Sequence, residues 1–278
     1  MKPQVLLPFY TFAEADHAAT VRMGVTVAAH VRGEIDALLI DVEIPRVENF
    51  LANKVLDLPG LAGEIRAKCR DTGTQITDAF AREIAEKRIS FRVEQASCAQ
   101  EDFARVLANE ARYRDIVVCG LAGSESSVRR LAEVSVFESS RPTILVPEGA
   151  TGSAFDHVAI AWDGSRVAAK AVSDAHLFMA RAKTITVISV DDEKPLGSKT
   201  PGHRLAEYLK RTGRPATVAR IQGKGGPISD TLQDHAGAIG AGLLVMGGFG
   251  HSRLRDFILG GATTGVFGSL KMPVLMSH

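Results

Sequence analysis

The feature that most limits what this chain can fold into is that one order of elements is written in it twice. In the second half, residues 157–162, 184–190, 216–221, 243–246 and 273–276 have the apolar, β-branched character of buried strands. Between them, residues 167–182, 203–212, 227–241 and 253–270 carry helical periodicity. The first half repeats the order, with strands at 5–9, 37–41, 90–93, 115–119 and 142–146 and helices at 18–31, 71–87, 102–113 and 127–139. Each half closes on a helix and a proline-led strand, Arg141-Pro142-Thr143-Ile144 in the first and Met272-Pro273-Val274-Leu275 in the second. Strands that alternate with helices pair in parallel and are covered by helices on both faces. The expectation is an α/β protein of two tandem doubly wound domains, each with a five-stranded parallel sheet of Rossmann-like layering. The Gly/Ala/Ser-rich stretch 148–154 reads as the link, giving domains at 1–149 and 150–278.

Composition excludes several classes of partner. Lys plus Arg number 33 against 32 Asp plus Glu, so the chain has no global field to attract a phosphate backbone, and no nucleic acid is expected. The three cysteines, Cys69, Cys98 and Cys119, form no Cys-x-x-Cys pair, which suits a reducing cytosol and a cytoplasmic location. The start imitates a signal peptide ending in Ala13-Glu14-Ala15, but with a single Lys and with Pro8 inside the apolar run it reads as a first strand. The longest uncharged stretch, 236–250, falls short of the ~20 residues that span a bilayer, so no membrane anchor is expected.

Catalytic signatures are missing. There is no Gly-x-Ser-x-Gly elbow and no His-Glu-x-x-His, and the glycines from Gly248 do not complete a dinucleotide fingerprint, because Arg253 stands where the last glycine belongs. No nucleophile is paired with a base. A binding protein is expected, with no catalytic and no metal-ligating residues and no base for a hydrolytic or self-modifying step.

The chemistry lies in a glycine segment. After the fourth strand of the second half come Gly247-Gly248-Phe249-Gly250-His251-Ser252-Arg253, then Gly260-Gly261-Ala262-Thr263-Thr264. Glycines between a strand end and a helix start let backbone N–H groups approach a phosphate, with the helix dipole behind them. Asp163 ends the first strand of the same half, at the rim where open parallel sheets bind ligands. Each residue has a plainer use too: the glycines as a strand-to-helix turn, Asp163 or Ser165 as a helix cap, Met246 as core, His251, Arg253 and Arg255 as solvated loop residues. The run 223–227 fits a turn before a helix better than a phosphate loop.

On these residues the chain resembles the universal stress proteins in their tandem form. The family's Gly-x2-Gly-x9-Gly-(Ser/Thr) signature is met by Gly247, Gly250 and Gly260, its first-strand motif by Asp163-Gly164-Ser165, and its last strand by 272–276. The resemblance implies an ATP site, with Mg2+ as the accompanying ion, in the second half. Asp163, Ala161 and the backbone of Val190 would meet the adenine, and Met246 and Gly247 the ribose side. Gly250 and His251 would lie at the phosphates, with the N–H groups of Gly260, Gly261 and Ala262. One departure stands out, since Gly261 occupies the Ser/Thr position and leaves Thr263 or Thr264 as the nearest hydroxyl. A lost hydrogen bond to a charged group costs about 1.5–3 kcal/mol.

The first half departs further. Phe9-Tyr10 stands in the place of Asp163, and Gly120 and Gly123 are followed by Glu133 and Val134 where the second glycine pair belongs. One nucleotide site per chain is therefore expected. The function implied is that of an ATP-binding stress-response protein; the alternative is a nucleotide-free scaffold with degenerate sites in both halves. The strands at 142–146 and 273–276 are expected to pair across a pseudo-two-fold, an intramolecular imitation of a dimer that leaves homodimerisation of whole chains open.

Overall fold

The computed structural model describes residues 2–12, 17–43, 58–85, 87–121, 126–152, 154–191, 201–214, 216–223, 225–248 and 261–278. The first half contains β1 (Gln4–Tyr10), α1 (His17–Val31), β2 (Glu34–Val42), α2 (Leu58–Ile84), β3 (Phe91–Cys98), α3 (Phe103–Ala111), β4 (Ile116–Leu121), α4 (Ser126–Phe137) and β5 (Thr143–Pro147). The second contains β6 (His157–Ala161), α5 (Arg166–Asp174), α6 (His176–Met179), β7 (Thr184–Val190), α7 (Pro201–Arg211), β8 (Ala216–Ile221), α8 (Ile228–Ala238), β9 (Leu243–Gly247), α9 (Gly261–Gly268) and β10 (Val274–Ser277).

The ten strands form one sheet in the order β3-β2-β1-β4-β5-β10-β9-β6-β7-β8. Within each half all pairings are parallel, as alternation with helices demands. The halves meet where β5 and β10 run antiparallel, with Ile144 opposite Leu275. A two-fold relation between equivalent edge strands can only give this direction. It leaves neither strand as a bare edge, a device that removes two templates for unwanted pairing.

Two apolar layers cover the sheet, and each crosses the junction between the halves. On one face β-strand residues such as Val5, Leu7 and Val158 pack with α1, α2, α5, α6 and α7. On the other, Leu6, Cys119 and Met246 pack with α3, α4, α8 and α9. Alternate residues of each strand serve opposite layers, as the two-residue period of a strand requires.

Two helices differ from the sequence expectation, and a third lies only partly within the described residues. Helix α2 starts at Leu58, well before residue 71, because Pro59 is tolerated in a first turn and helix formers such as Ala62, Glu64 and Lys68 follow. The helix expected over 167–182 is two, broken at Ala175, which turns Phe178 into the core against Phe155 (ring centroids 5.3 Å) and His30 (5.5 Å). Of the helix expected over 253–270, the described residues show α9; 253–260 lie outside them.

The equivalence of Glu133 with the second glycine is also corrected. Each closing helix ends at the same spacing before its strand, Phe137 before Thr143 and Gly268 before Val274. That frame sets Arg130 against Gly261, the first described residue of α9. Glu133 sits farther along the helix, half-buried, with its carboxylate 2.9 Å from the Arg129 guanidinium. Counting residues from the strand misplaced it, because 17 positions separate Gly120 from Phe137 at the end of α4 and 21 separate Gly247 from Gly268 at the end of α9.

Candidate functional site

Each half has a point where strand order reverses, between β1 and β4 in the first and between β6 and β9 in the second. At such a point the following helices leave on opposite faces, and a crevice opens at the carboxyl ends of the strands. Asp163 follows β6 and Gly247 ends β9, so the sheet brings these two distant residues to neighbouring strand ends.

The turn after β6 is built by Asp163, Gly164 and Ser165. Gly164 has φ +76°, a left-handed conformation that side chains resist. The Asp163 carboxylate accepts from the Ser165 N–H (2.8 Å), and the Ser165 hydroxyl accepts from the Ala168 N–H (3.2 Å), capping α5. Ser165 is thus the cap. Asp163 folds the turn with Oδ1 and is exposed, its Oδ2 making no hydrogen bond among the described residues.

Gly247 is fixed by a close approach. A Cβ on it would lie 2.6 Å from the carbonyl carbon of Val167 and 2.7 Å from the Ala168 nitrogen, so β9 runs directly against the first turn of α5. Only a glycine lets strand end and helix start share this space. The N-terminus of α5, the end of β9 and the turn carrying Asp163 are therefore one local unit.

The other expected residues fall as follows. Ala161 is the last residue of β6, half-buried. Val190 ends β7 with its side chain in the core (8% exposed), beside Asp191, which pairs with Arg220 at 2.9 Å. Met246 is 4% exposed and its side chain is core. Gly261 and Ala262 are the first described residues of α9, and Thr263 is buried at 4% exposure. Gly250, His251 and Gly260 lie outside the described residues.

Two features escaped sequence reasoning. Trp162, between Ala161 and Asp163, has a buried indole N–H without a hydrogen-bond partner among the described residues. Gly265 in α9 crosses α8 so closely that a Cβ there would overlap the Ser229 hydroxyl. Neither has a local motif; both depend on what a distant element places beside them.

The equivalent crevice in the first half is filled by the protein itself. The register of β1 with β4 and of β6 with β9 sets Tyr10 where Asp163 stands. Tyr10 is 9% exposed and meets Phe103 edge to face at 5.5 Å. Gly120, the counterpart of Gly247, backs onto the Thr20 side chain.

Among the described residues no helix is long and apolar enough to cross a membrane, and no group of three or more His, Cys, Asp or Glu could hold a metal ion.

Residues 154–278 match the universal stress protein family. No curated protein matches the chain in sequence. A solved universal stress protein from Archaeoglobus fulgidus DSM 4304 is 17% identical, with a TM-score of 0.72 over 99% of this chain and 97% of that one. A protein of unknown function from Pseudomonas aeruginosa PAO1 is 16% identical, with a TM-score of 0.56 over 99% of this chain and 92% of that one. At such identities the likeness is one of fold. The family match thus lies in residues 154–278, and the chain from end to end has the fold of a solved universal stress protein.

Proposed function

We propose that the chain binds one adenine nucleotide, ATP accompanied by Mg2+, at the switch point of its second half, and acts as a nucleotide-responsive binding protein in a stress response. The observation that carries this reading is the difference between the two switch points. In the second half an exposed carboxylate follows β6, beside a strand that ends in glycine; in the first a buried tyrosine fills the same position.

The residues present fit the group. The Asp163 oxygen that does not fold the turn is an acceptor for a ribose hydroxyl or an adenine amine. Gly247 holds the first turn of α5 beside the strand end, and Gly261, the first described residue of α9, carries no side chain to shield its N–H from a phosphate. The nucleotide would supply negative charge to the dipole of α9, and the chain's part is to bind and orient it.

A second reading, a nucleotide-free scaffold, is favoured by one observation. Thr263, the nearest described hydroxyl after Gly261, is buried in α9. Isothermal titration of the purified chain with ATP and Mg2+ decides between them. A stoichiometry of one, abolished in Asp163→Ala, supports the site; two would contradict the blocked first half, and no heat together with no nucleotide released on denaturation would leave the scaffold.

A further inference from the structure

Gly248 follows β9 and begins the glycine segment. Its N–H donates to the Ser277 carbonyl (2.7 Å), and its carbonyl accepts from His278 Nδ1 (3.0 Å). The His278 ring meets Phe137 edge-on, with centroids 5.5 Å apart and planes at 79°. Phe137 is the last residue of α4 and belongs to the first half. Its ring also lies so near Gly248 that a Cβ there would be 3.2 Å from Phe137 Cε1 and 3.5 Å from Val136.

The same helix reaches the other side of the glycine segment. The Phe137 ring is 6.0 Å from that of Phe267 in α9, and the Arg129 guanidinium lies 5.8 Å over the Phe267 ring. Helix α4 of the first half thus touches the strand end before residues 249–260 and the helix after them.

We propose that Phe137 and His278 are positioning residues, through which the first half holds the backbone of Gly247 and Gly248 where a nucleotide in the second half requires it. The proposal rests on the nucleotide reading above for its ligand, but its mechanical part does not. Backbone N–H and C=O groups must be oriented before a ligand arrives if binding is not to be weakened by the cost of ordering them. Gly248 has no side chain to order itself, and its two backbone hydrogen bonds go to Ser277 and His278. The aromatic edge of Phe137 sets the angle of the His278 ring, and a contact on one half is converted into the geometry of the other. A blank first half then has a use that its own filled crevice does not show.

The test compares the full chain with Phe137→Ala, His278→Ala and His278→Asn. His278 is exposed, so its replacement does not threaten the core as truncation of Phe137 does. Two quantities are read: amide hydrogen exchange over 243–248 without ligand, and the affinity for ATP with Mg2+. Both alanine variants are expected to exchange at least about fivefold faster at Gly247 and Gly248 and to bind at least about fivefold more weakly, the low end of couplings between sites. The Asn amide can donate to the same carbonyl, so His278→Asn should restore both. Unchanged exchange in His278→Ala overturns the positioning role whatever ATP does. Faster exchange with unchanged affinity overturns the coupling to the site. If the unsubstituted chain binds no ATP, the nucleotide reading falls and the coupling with it, while exchange still decides the mechanical part.

Discussion

The backbone of Gly247 lies against Val167 with no room for a side chain between them, 2.6 Å separating a Cβ from the Val167 carbonyl carbon. The contact joins β9 to the first turn of α5 and so couples the glycine segment to the turn that carries Asp163. Because the neighbour is backbone, no rotamer change can relieve an added methyl.

Gly247→Ala is therefore expected to cost about 1–3 kcal/mol, the range for overpacking a closed site. Urea unfolding of the two chains measures it. A midpoint shift within the error of replicate curves would mean that strand and helix can separate freely there.

Asp163→Asn separates the two uses of one side chain. The amide oxygen can still accept from the Ser165 N–H, so stability should stay within about 0.5 kcal/mol. Nucleotide affinity should fall about tenfold or more, as the hydrogen bond loses its charge. Calorimetry and thermal unfolding on the same preparation read both quantities, and an unchanged affinity would place the ligand away from this carboxylate.

His30 makes the junction pH-sensitive. Its ring stacks on Phe178 across the halves (5.5 Å, planes at 7°), with Phe155 edge-on, and its Nε2 is buried without a hydrogen-bond partner among the described residues. Burial holds its pKa below the ordinary 6.5, reinforced by Arg181 and opposed by a backbone hydrogen bond with Phe178 and by the Asp156 carboxylate, which Lys183 also engages at 2.7 Å. The unfolded chain takes up its proton near pH 6.5 while the folded one resists. The stability this contributes is full above pH 6.5 and is lost as pH falls below it, down to the folded protein's own midpoint. The melting temperature should fall more between pH 7.5 and 5.5 in the unsubstituted chain than in His30→Phe, which keeps the ring and cannot titrate. Parallel pH profiles would remove His30 as the cause.

Cys119 should be inert in the folded protein. It is fully buried in β4, and burial pushes its thiol up to about 12. The thiolate is the reactive form, so iodoacetamide at pH 8 should modify the half-buried Cys69 first and Cys119 only on unfolding. Peptide mass spectrometry after timed labelling reads the order; early modification of Cys119 would show that the strand opens on that timescale.

The expected set of site residues was legible where chemistry is local. Asp163, Gly164 and Ser165 make their turn within themselves, since a left-handed glycine and two short polar side chains need no distant partner. The assignment of Glu133 failed because it was counted along the chain, whereas equivalence is set by where a helix end meets its strand.

The sequence by itself determined the alternation of strands and helices, and with it parallel pairing, two covered faces and a rim that carries both Asp163 and Gly247. Periodicity and glycine placement act over a few residues, and those forces are written locally. Only the tertiary structure decided that Gly247 is packed against Val167, that Tyr10 fills the first crevice, and that Phe137 of one half reaches His278 beside Gly248 of the other. Such contacts arise when two layers close over a sheet and the antiparallel pairing of β5 with β10 fixes one half against its copy. They depend on distances between residues far apart in the chain, 80 positions for Val167 and Gly247 and 141 for Phe137 and His278, which no local pattern encodes.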